Sequence, residues 1–281
     1  MSRSLPIGIT TFVTDQGIDP VRLAREVEAR GFHSLYIPEH THIPTSRRTP
    51  PPTGEAMLPE EYKRTVDPFV ALAAAAAVTT RLKLGTGVCL VAQRDPIVTA
   101  KEVATLDRIA NGRFVFGIGF GWNEDEMESH GVDFRSRRAR SREHVLAMQR
   151  LWTHEHAGFD GKFVHFEDSW SWPKPLQQPR PPILIGGMAG PKLFAHVAEY
   201  ADGWIPIGGA GVRAALGDLR RAMEEAGRDP ATLHIVPFGS TPDPGKLDYY
   251  ASIGVTEVVL RIPCADVDVT LPILDECAKL L

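Results

Sequence analysis

One stretch constrains the fold more than any other: RLKLGTGVCLVAQRDPIVTAKEVATLDRIANGRFVFGIGFGW, residues 81–122. Residues 82–88 and 113–119 are short apolar runs interrupted by glycine. Between them Ile97, Ala100, Val103, Ala104, Leu106 and Ile109 recur at helical spacing, opened by Asp95-Pro96 and stopped by Asn111-Gly112. The pattern is strand, helix, strand, and strands joined by such a crossover lie parallel. Both strands end in glycine, at Gly85 and Gly87 and at Gly117, Gly119 and Gly121. A backbone stripped of side chains there leaves room for something flat or large.

The alternation continues along the chain. Residues 5–10, 34–38, 82–88, 113–119, 183–185, 203–207, 233–237 and 257–261 read as strands, each followed by a helical segment. In the first helix, residues 20–30, Val21, Ala24, Val27 and Glu28 share one face. Eight strand–helix units in 281 residues, 43% of them hydrophobic, predict an α/β fold, a (β/α)8 TIM barrel in one domain spanning residues 1–281. Two segments break the rhythm. Residues 40–64 are long, aperiodic and rich in Pro and Thr, which marks a functional loop. Residues 158–181, after the fourth helix (residues 138–154), read as an insertion. Its residues 161–166 look like one strand of a small hairpin, and the prolines at 173, 175, 179 and 181 forbid helix beyond it.

Charge and cysteine usage exclude several function classes. A formal net charge of -4 provides no electrostatic case for a nucleic-acid or anionic-membrane partner. The one basic cluster, RSRRARSR at 135–142, reads as solvated first turns of a helix, with the rim of an anionic ligand as the other reading. Cys89, Cys264 and Cys277 cannot all pair and have no metal-ligand spacing, as expected of a reducing compartment. The N-terminal residues lack a long apolar segment, and no apolar run approaches the roughly 20 residues of a membrane span. A cytoplasmic protein without a membrane partner is the expectation.

A barrel places its chemistry at the C-terminal ends of its strands. Those positions include Thr10, Glu39, His40, Gly87, Val88, Gly121, Trp122, Gly186, Gly187, Met188, Gly208, Gly239 and Arg261. The set is rich in glycine and poor in acids, and no serine is paired with a histidine and an acid. In IGGMAGPKLFAHVAEYADGW, residues 185–204, a strand runs into Gly186-Gly187 and a helix starts at Pro191. Bare amides and the positive helix end make a phosphate cradle, or the glycines serve a tight turn. Both readings stay open on this motif.

At larger scale, GFHSLYIPEHTHIP (31–44), DPFVALAAAAAVTTRLKLGTGV (67–88), RDPIVTAKEVATLDRIANGRFVFGIGFGW (94–122) and PPILIGGMAGPKLFAHVAEYADGWIP (181–206) resemble the bacterial-luciferase-like superfamily of flavin and deazaflavin oxidoreductases. Within it the chain is most similar to the actinobacterial branch that uses coenzyme F420. The resemblance covers most of residues 31–206.

That resemblance implies a tricyclic cofactor lying across the barrel mouth, with its phosphate at the loop of Gly186, Gly187 and Met188. It implies a cis Gly87–Val88 peptide backing the ring, with Gly121 and Trp122 beside it, and His40 as the catalytic residue. His40 also borders the cofactor, and Glu39 stands where relatives carry an acid that contacts it. Two departures, Pro44 and Trp122, stand where the sugar-phosphate dehydrogenase branch has an aromatic and an acid, so Glu124 and Glu126 become candidate replacement acids. The cofactor expected is F420, with FMN and oxygen chemistry as the alternative. Ile43, Met57, Leu58, Phe163, Trp170 and Trp172, from the 40–64 loop and the insertion, would line the entrance for a small, partly apolar substrate. A homodimer through the helices around the second to fourth strands is also implied. His40-Thr41-His42 admits a metal-dependent hydrolase of the amidohydrolase kind, although no metal site is expected, and a cofactor-free binding protein is a further alternative.

Overall fold

The computed structural model describes residues 5–51, 57–209, 211–240 and 243–281. The elements alternate as the periodicity predicts: β1 (Ile7–Thr10), α1 (Pro20–Ala29), β2 (Ser34–Ile37), α2 (Pro68–Ala77), β3 (Lys83–Thr86), α3 (Pro96–Ile109) and β4 (Phe114–Gly119). Then come α4 (Glu124–Ser129), α5 (Arg137–Thr153), the hairpin β5 (His156–Asp160) and β6 (His165–Trp170), β7 (Ile183–Gly186), α6 (Pro191–Tyr200), β8 (Gly203–Ile205) and α7 (Val212–Glu225). The chain closes with β9 (His234–Ile235), β10 (Phe238–Ser240), α8 (Pro244–Ile253), β11 (Val258–Arg261) and α9 (Val267–Ala278).

Local chemistry sets the helix starts. α1, α2, α3 and α8 each begin at an Asp-Pro pair, in which proline fits the first turn and the aspartate carboxylate accepts from amides of that turn. Asp95, for example, accepts from Ile97 N and Val98 N at 2.9 Å each. The inward face of α1 is Leu23, Ala24 and Val27, whereas Val21 and Glu28 lie at its edges. Glu28 is used differently: its carboxylate takes the amides of Thr80, Arg81 and Leu82, tying α1 to the start of β3.

Nine parallel strands form one curled sheet in the order β10-β11-β1-β2-β3-β4-β7-β8-β9. Its two ends are consecutive in sequence. The run read as a single seventh strand is interrupted at Val236-Pro237, because proline lacks the amide a ladder needs. Val236 N still bonds Trp204 O at 3.0 Å on one side, and Val259 N bonds Pro237 O at 2.9 Å on the other. Tyr36, Val115, Leu184, Ile205, Val236, Phe238 and Val259 pack together inside the curl, with half-buried Val88 against them. The helices cover the outer face.

Residues 158–181 run along the outside of α5 and α3. Lys174 Nζ bonds Leu151 O (2.7 Å) near the end of α5, and Gln177 Nε2 bonds Phe114 O (2.8 Å) at the start of β4. The amides of Leu176 and Gln177 donate to buried Asp107 late in α3. A connection that leaves a helix C-terminus and enters a strand N-terminus begins and ends at the lower face of the sheet. Trp170, paired with His156 just past α5, and Trp172 therefore sit away from the strand C-termini, whereas Phe163 packs outside the first turns of α5, under Arg140 at 5.1 Å and with its amide on Glu143 at 2.7 Å. The expected hairpin strand at 161–166 is instead mostly the turn between β5 and β6.

Candidate active site

The strand C-termini gather most of the expected residues. β2 and β3 pair in register to Ile37 and Thr86, so the segments beyond them, Pro38–His40 and Gly87–Val88 by sequence, emerge side by side. The Gly87–Val88 peptide is cis. Val88 turns into a slot between β4 and β7, where a Cβ on Gly119 or Gly186 would collide with its methyl groups. Glycine at both positions is thus required by the close approach of one valine.

His40 is buried, 8% exposed, and its Nδ1 lies 3.0 Å from both carboxylate oxygens of Glu126, itself 1% exposed. Glu126 comes from α4, a helix absent from the sequence reading, and was expected only as one of two candidate acids. Asn123-Glu-Asp-Glu-Met carries the signal, a polar first turn with acids directly after the fourth strand; its inward turn is decided by Met127, which is fully buried beneath Gly121. Glu124 stays half-exposed, and its amide meets Thr49 Oγ1 at 3.4 Å. Arg48 reaches over α4 and pairs with Asp125 (2.9 Å) and Glu128. Residues 40–49 are pinned to α4 in this way.

The His40 ring is flanked by Tyr62 at 5.1 Å and, edge-on, by Trp122 at 6.1 Å between centroids. Phe12, Leu58 and Tyr62 form a buried cluster joined by Ile43 and Trp122. Of the residues expected to line an apolar entrance, Ile43 and Leu58 belong to this wall. Tyr62, not singled out in the sequence, is its centre. His42 and His130 lie with ring centroids 5.1 Å apart and planes tilted by 59°; burial first, then the neighbouring His42, pull the His130 pKa below the usual histidine value.

Glu39 faces the other way. Its oxygens accept from Leu90 N and Arg94 Nε at 2.6 Å each, so it anchors the turn that follows the cis peptide. Arg94 also bonds Asp67 and Glu102, and its guanidinium lies 4.6 Å over Phe69. Burial opposes that charge, but Glu39 and the other carboxylates outweigh burial and raise the Arg94 pKa. Cys89, next in the turn, is fully buried; burial and then Glu39 push its thiol well above the usual range, which leaves it inert.

On the far side of the mouth, Gly187 N already bonds Ile205 O at 3.3 Å and Gly187 O accepts from Trp204 Nε1 at 2.8 Å. The amides of Met188, Ala189 and Gly190 have no partner among the described residues. α6 opens at Gly190 with no capping side chain, unlike the aspartate-capped helices. The open donors thus begin at Met188, the last residue of the expected loop, because the Gly187 amide is engaged. Nearby, Arg138 of the basic cluster lies 4.4 Å over Phe120, which also contacts His196 of α6, whereas Arg142 pairs with Glu199. Two apolar side chains stand exposed on this rim, Met188 at 91% and Ile207 at 76%.

Among the described residues no three His, Cys, Asp or Glu side chains are grouped to hold a metal ion, and no helix is long and apolar enough to cross a membrane. A buried histidine–carboxylate pair facing open amides across glycine-trimmed strand ends is the mouth of an α/β enzyme. The luciferase-like monooxygenase family model matches residues 14–241. The chain belongs to that family and is an enzyme of its oxidoreductase class.

An uncharacterized protein of Mycobacterium tuberculosis, Rv0953c, is 45% identical over 264 residues, 93% of either chain. F420-dependent glucose-6-phosphate dehydrogenase of Kineococcus radiotolerans is 35% identical over 161 residues, 54% of this chain and 47% of that protein. FMNH(2)-dependent dimethylsulfone monooxygenase of Pseudomonas putida is 31% identical over 150 residues, 51% of this chain and 40% of that one. The fold matches monooxygenase RslO1 of Streptomyces bottropensis with a TM-score of 0.78 at 22% identity, covering 99% and 98% of the two chains. It matches an F420-dependent secondary alcohol dehydrogenase equally, with a TM-score of 0.78 at 16% identity and the same coverage.

Proposed function

We propose that the protein passes a hydride between coenzyme F420 and an organic hydroxyl or carbonyl compound, with His40 as the residue that moves the proton. One observation carries this reading: a buried histidine is held by its Nδ1 at the strand ends, while its Nε2 has no partner among the described residues. Histidine is suited to exchange protons near neutral pH. The bound deazaflavin would supply the two-electron chemistry. Gly87 and Val88 would back its ring, Gly121 and Trp122 would border it, and the Met188–Gly190 amides with the start of α6 would hold its phosphate. Glu39 would act through the turn it anchors. The exposed Met188 and Ile207 side chains fit a rim that a large planar ligand covers.

In this reading β9 and β10 are halves of one strand, so the sheet is an eight-strand barrel, one domain over residues 1–281 with 158–181 inserted. The enzyme would work in the cytoplasm as a homodimer, on small molecules that fit the Phe12, Leu58, Tyr62 and Trp122 wall.

Similarity to the dimethylsulfone monooxygenase favours a second reading, reduced FMN with dioxygen in the same mouth. The two separate by titration of the purified protein. Quenching of deazaflavin fluorescence at micromolar protein, followed by reoxidation of the reduced form with unsaturated carbonyl compounds, is expected. Binding of FMN alone, with oxygen consumption, would replace the first reading by the second; silence toward both would leave a binding protein.

A further inference from the structure

We infer that Glu126 is the positioning residue of His40: it fixes the imidazole with its proton on Nδ1, so that Nε2 is the nitrogen presented to substrate. The inference rests on His40 acting in the reaction proposed above, but its physical basis is independent of that reaction. Glu126 is 1% exposed, and His40 is its side chain's only hydrogen-bond partner among the described residues. A carboxylate so deeply buried needs a donor. Both oxygens stand 3.0 Å from the same nitrogen, and an ionised carboxylate only accepts, so the proton between them belongs to Nδ1.

His40 Nε2 makes no hydrogen bond among the described residues and is absent from the buried, unpartnered polar atoms. It is therefore not fully enclosed by the described residues. The ring cannot readily turn to exchange the two nitrogens, because Tyr62 lies against it at 5.1 Å and Trp122 abuts it at 6.1 Å. Glu126 is itself held in place, since Met127 is buried beside it and Arg48 ties Asp125 and Glu128 of the same helix to the 40–49 segment. A buried carboxylate that orients a histidine this way sets its tautomer and stabilises the imidazolium once Nε2 takes a proton. For oxidation of an alcohol, Nε2 would take the O–H proton as the C=O bond forms, and a bound deazaflavin would supply the chemistry that accepts the C–H hydrogen with its electron pair. In the reverse direction Nε2–H protonates the carbonyl oxygen.

The test has a spectroscopic arm that needs neither cofactor nor substrate. In uniformly 15N-labelled protein at a pH where its ring is neutral, His40, assigned by loss of its signals in His40→Gln, should show a protonated Nδ1 and an unprotonated Nε2. Glu126→Ala should abolish that pattern, Glu126→Gln should weaken it, and Glu126→Asp should retain it. In turnover, Glu126→Ala should lower kcat by roughly 10- to 100-fold with cofactor affinity unchanged, and Glu126→Asp should recover part of it. Glu126→Gln, close in volume, carries the test if the alanine variant fails to fold. An Nε2–H tautomer in the unaltered protein, or full turnover in Glu126→Gln with the tautomer unchanged, overturns the inference. If the tautomer pattern holds while His40→Ala reacts normally, the positioning stands and the proposed proton role of His40 falls.

Discussion

Two buried acids decide different properties. Glu126 faces the site through His40, and removing the imidazole tests the site: His40→Ala is expected to reduce turnover about 100-fold or more, with cofactor affinity within a few-fold, by steady-state kinetics and fluorescence titration. Normal turnover at saturating cofactor would reduce His40 to a positioning role. Glu257 lies inside the curl, bonded to Ser34 Oγ, and burial first raises its pKa to about 7 from an ordinary 4.5. Between those values the folded chain holds a proton that the unfolded chain has lost. Stability therefore falls as pH rises from about 4.5 to 7 and levels above, by at most about 3 kcal/mol. Denaturant midpoints measured from pH 5 to pH 8 should show this slope, and Glu257→Gln should flatten it. An unchanged slope in the variant would assign the effect to another group.

Among the elements, α6 differs from the aspartate-capped α1, α2, α3 and α8 in having no capping side chain at its start. Asp95 caps α3, so Asp95→Ala should cost about 1 kcal/mol in denaturant unfolding without touching cofactor affinity. α6 is left open at Gly190, whose amide, with those of Met188 and Ala189, has no partner among the described residues. Met188→Glu, at a side chain that is 91% exposed, should leave stability unchanged yet repel a bound phosphate. A loss of about tenfold in cofactor affinity, shrinking with added salt, is the expected titration result. Unchanged affinity would move the phosphate away from this loop.

For the molecule as a whole, the outward side of α2 and α3 bears on assembly. The buried alanines of α2, Ala71, Ala75 and Ala76, pack inward against the sheet and do not form a free face. What lies outward is Val70, 72% exposed, and Ile97 and Val98, 45% and 55%. A patch of this kind suits a second copy of the chain. Light scattering should report twice the mass of one chain, and Val70→Asp combined with Val98→Asp should return it to one. A monomer before substitution would remove the dimer.

The sequence by itself determined the alternation of strands and helices, the Asp-Pro helix starts, the glycine-ended strands and the positions of His40, Val88 and the 186–190 turn. These follow from periodicity and from local backbone chemistry, which act within a few residues. Tertiary structure alone decided that Glu126 and not Glu124 meets His40, because one buried methionine, Met127, sets which way a six-residue helix turns. It also turned Glu39 toward Arg94, made Tyr62 the centre of the aromatic wall and carried Trp170 and Trp172 to the lower face. Each of these depends on contacts between residues 22 to 86 positions apart, where packing and charge pairing leave no mark in local sequence.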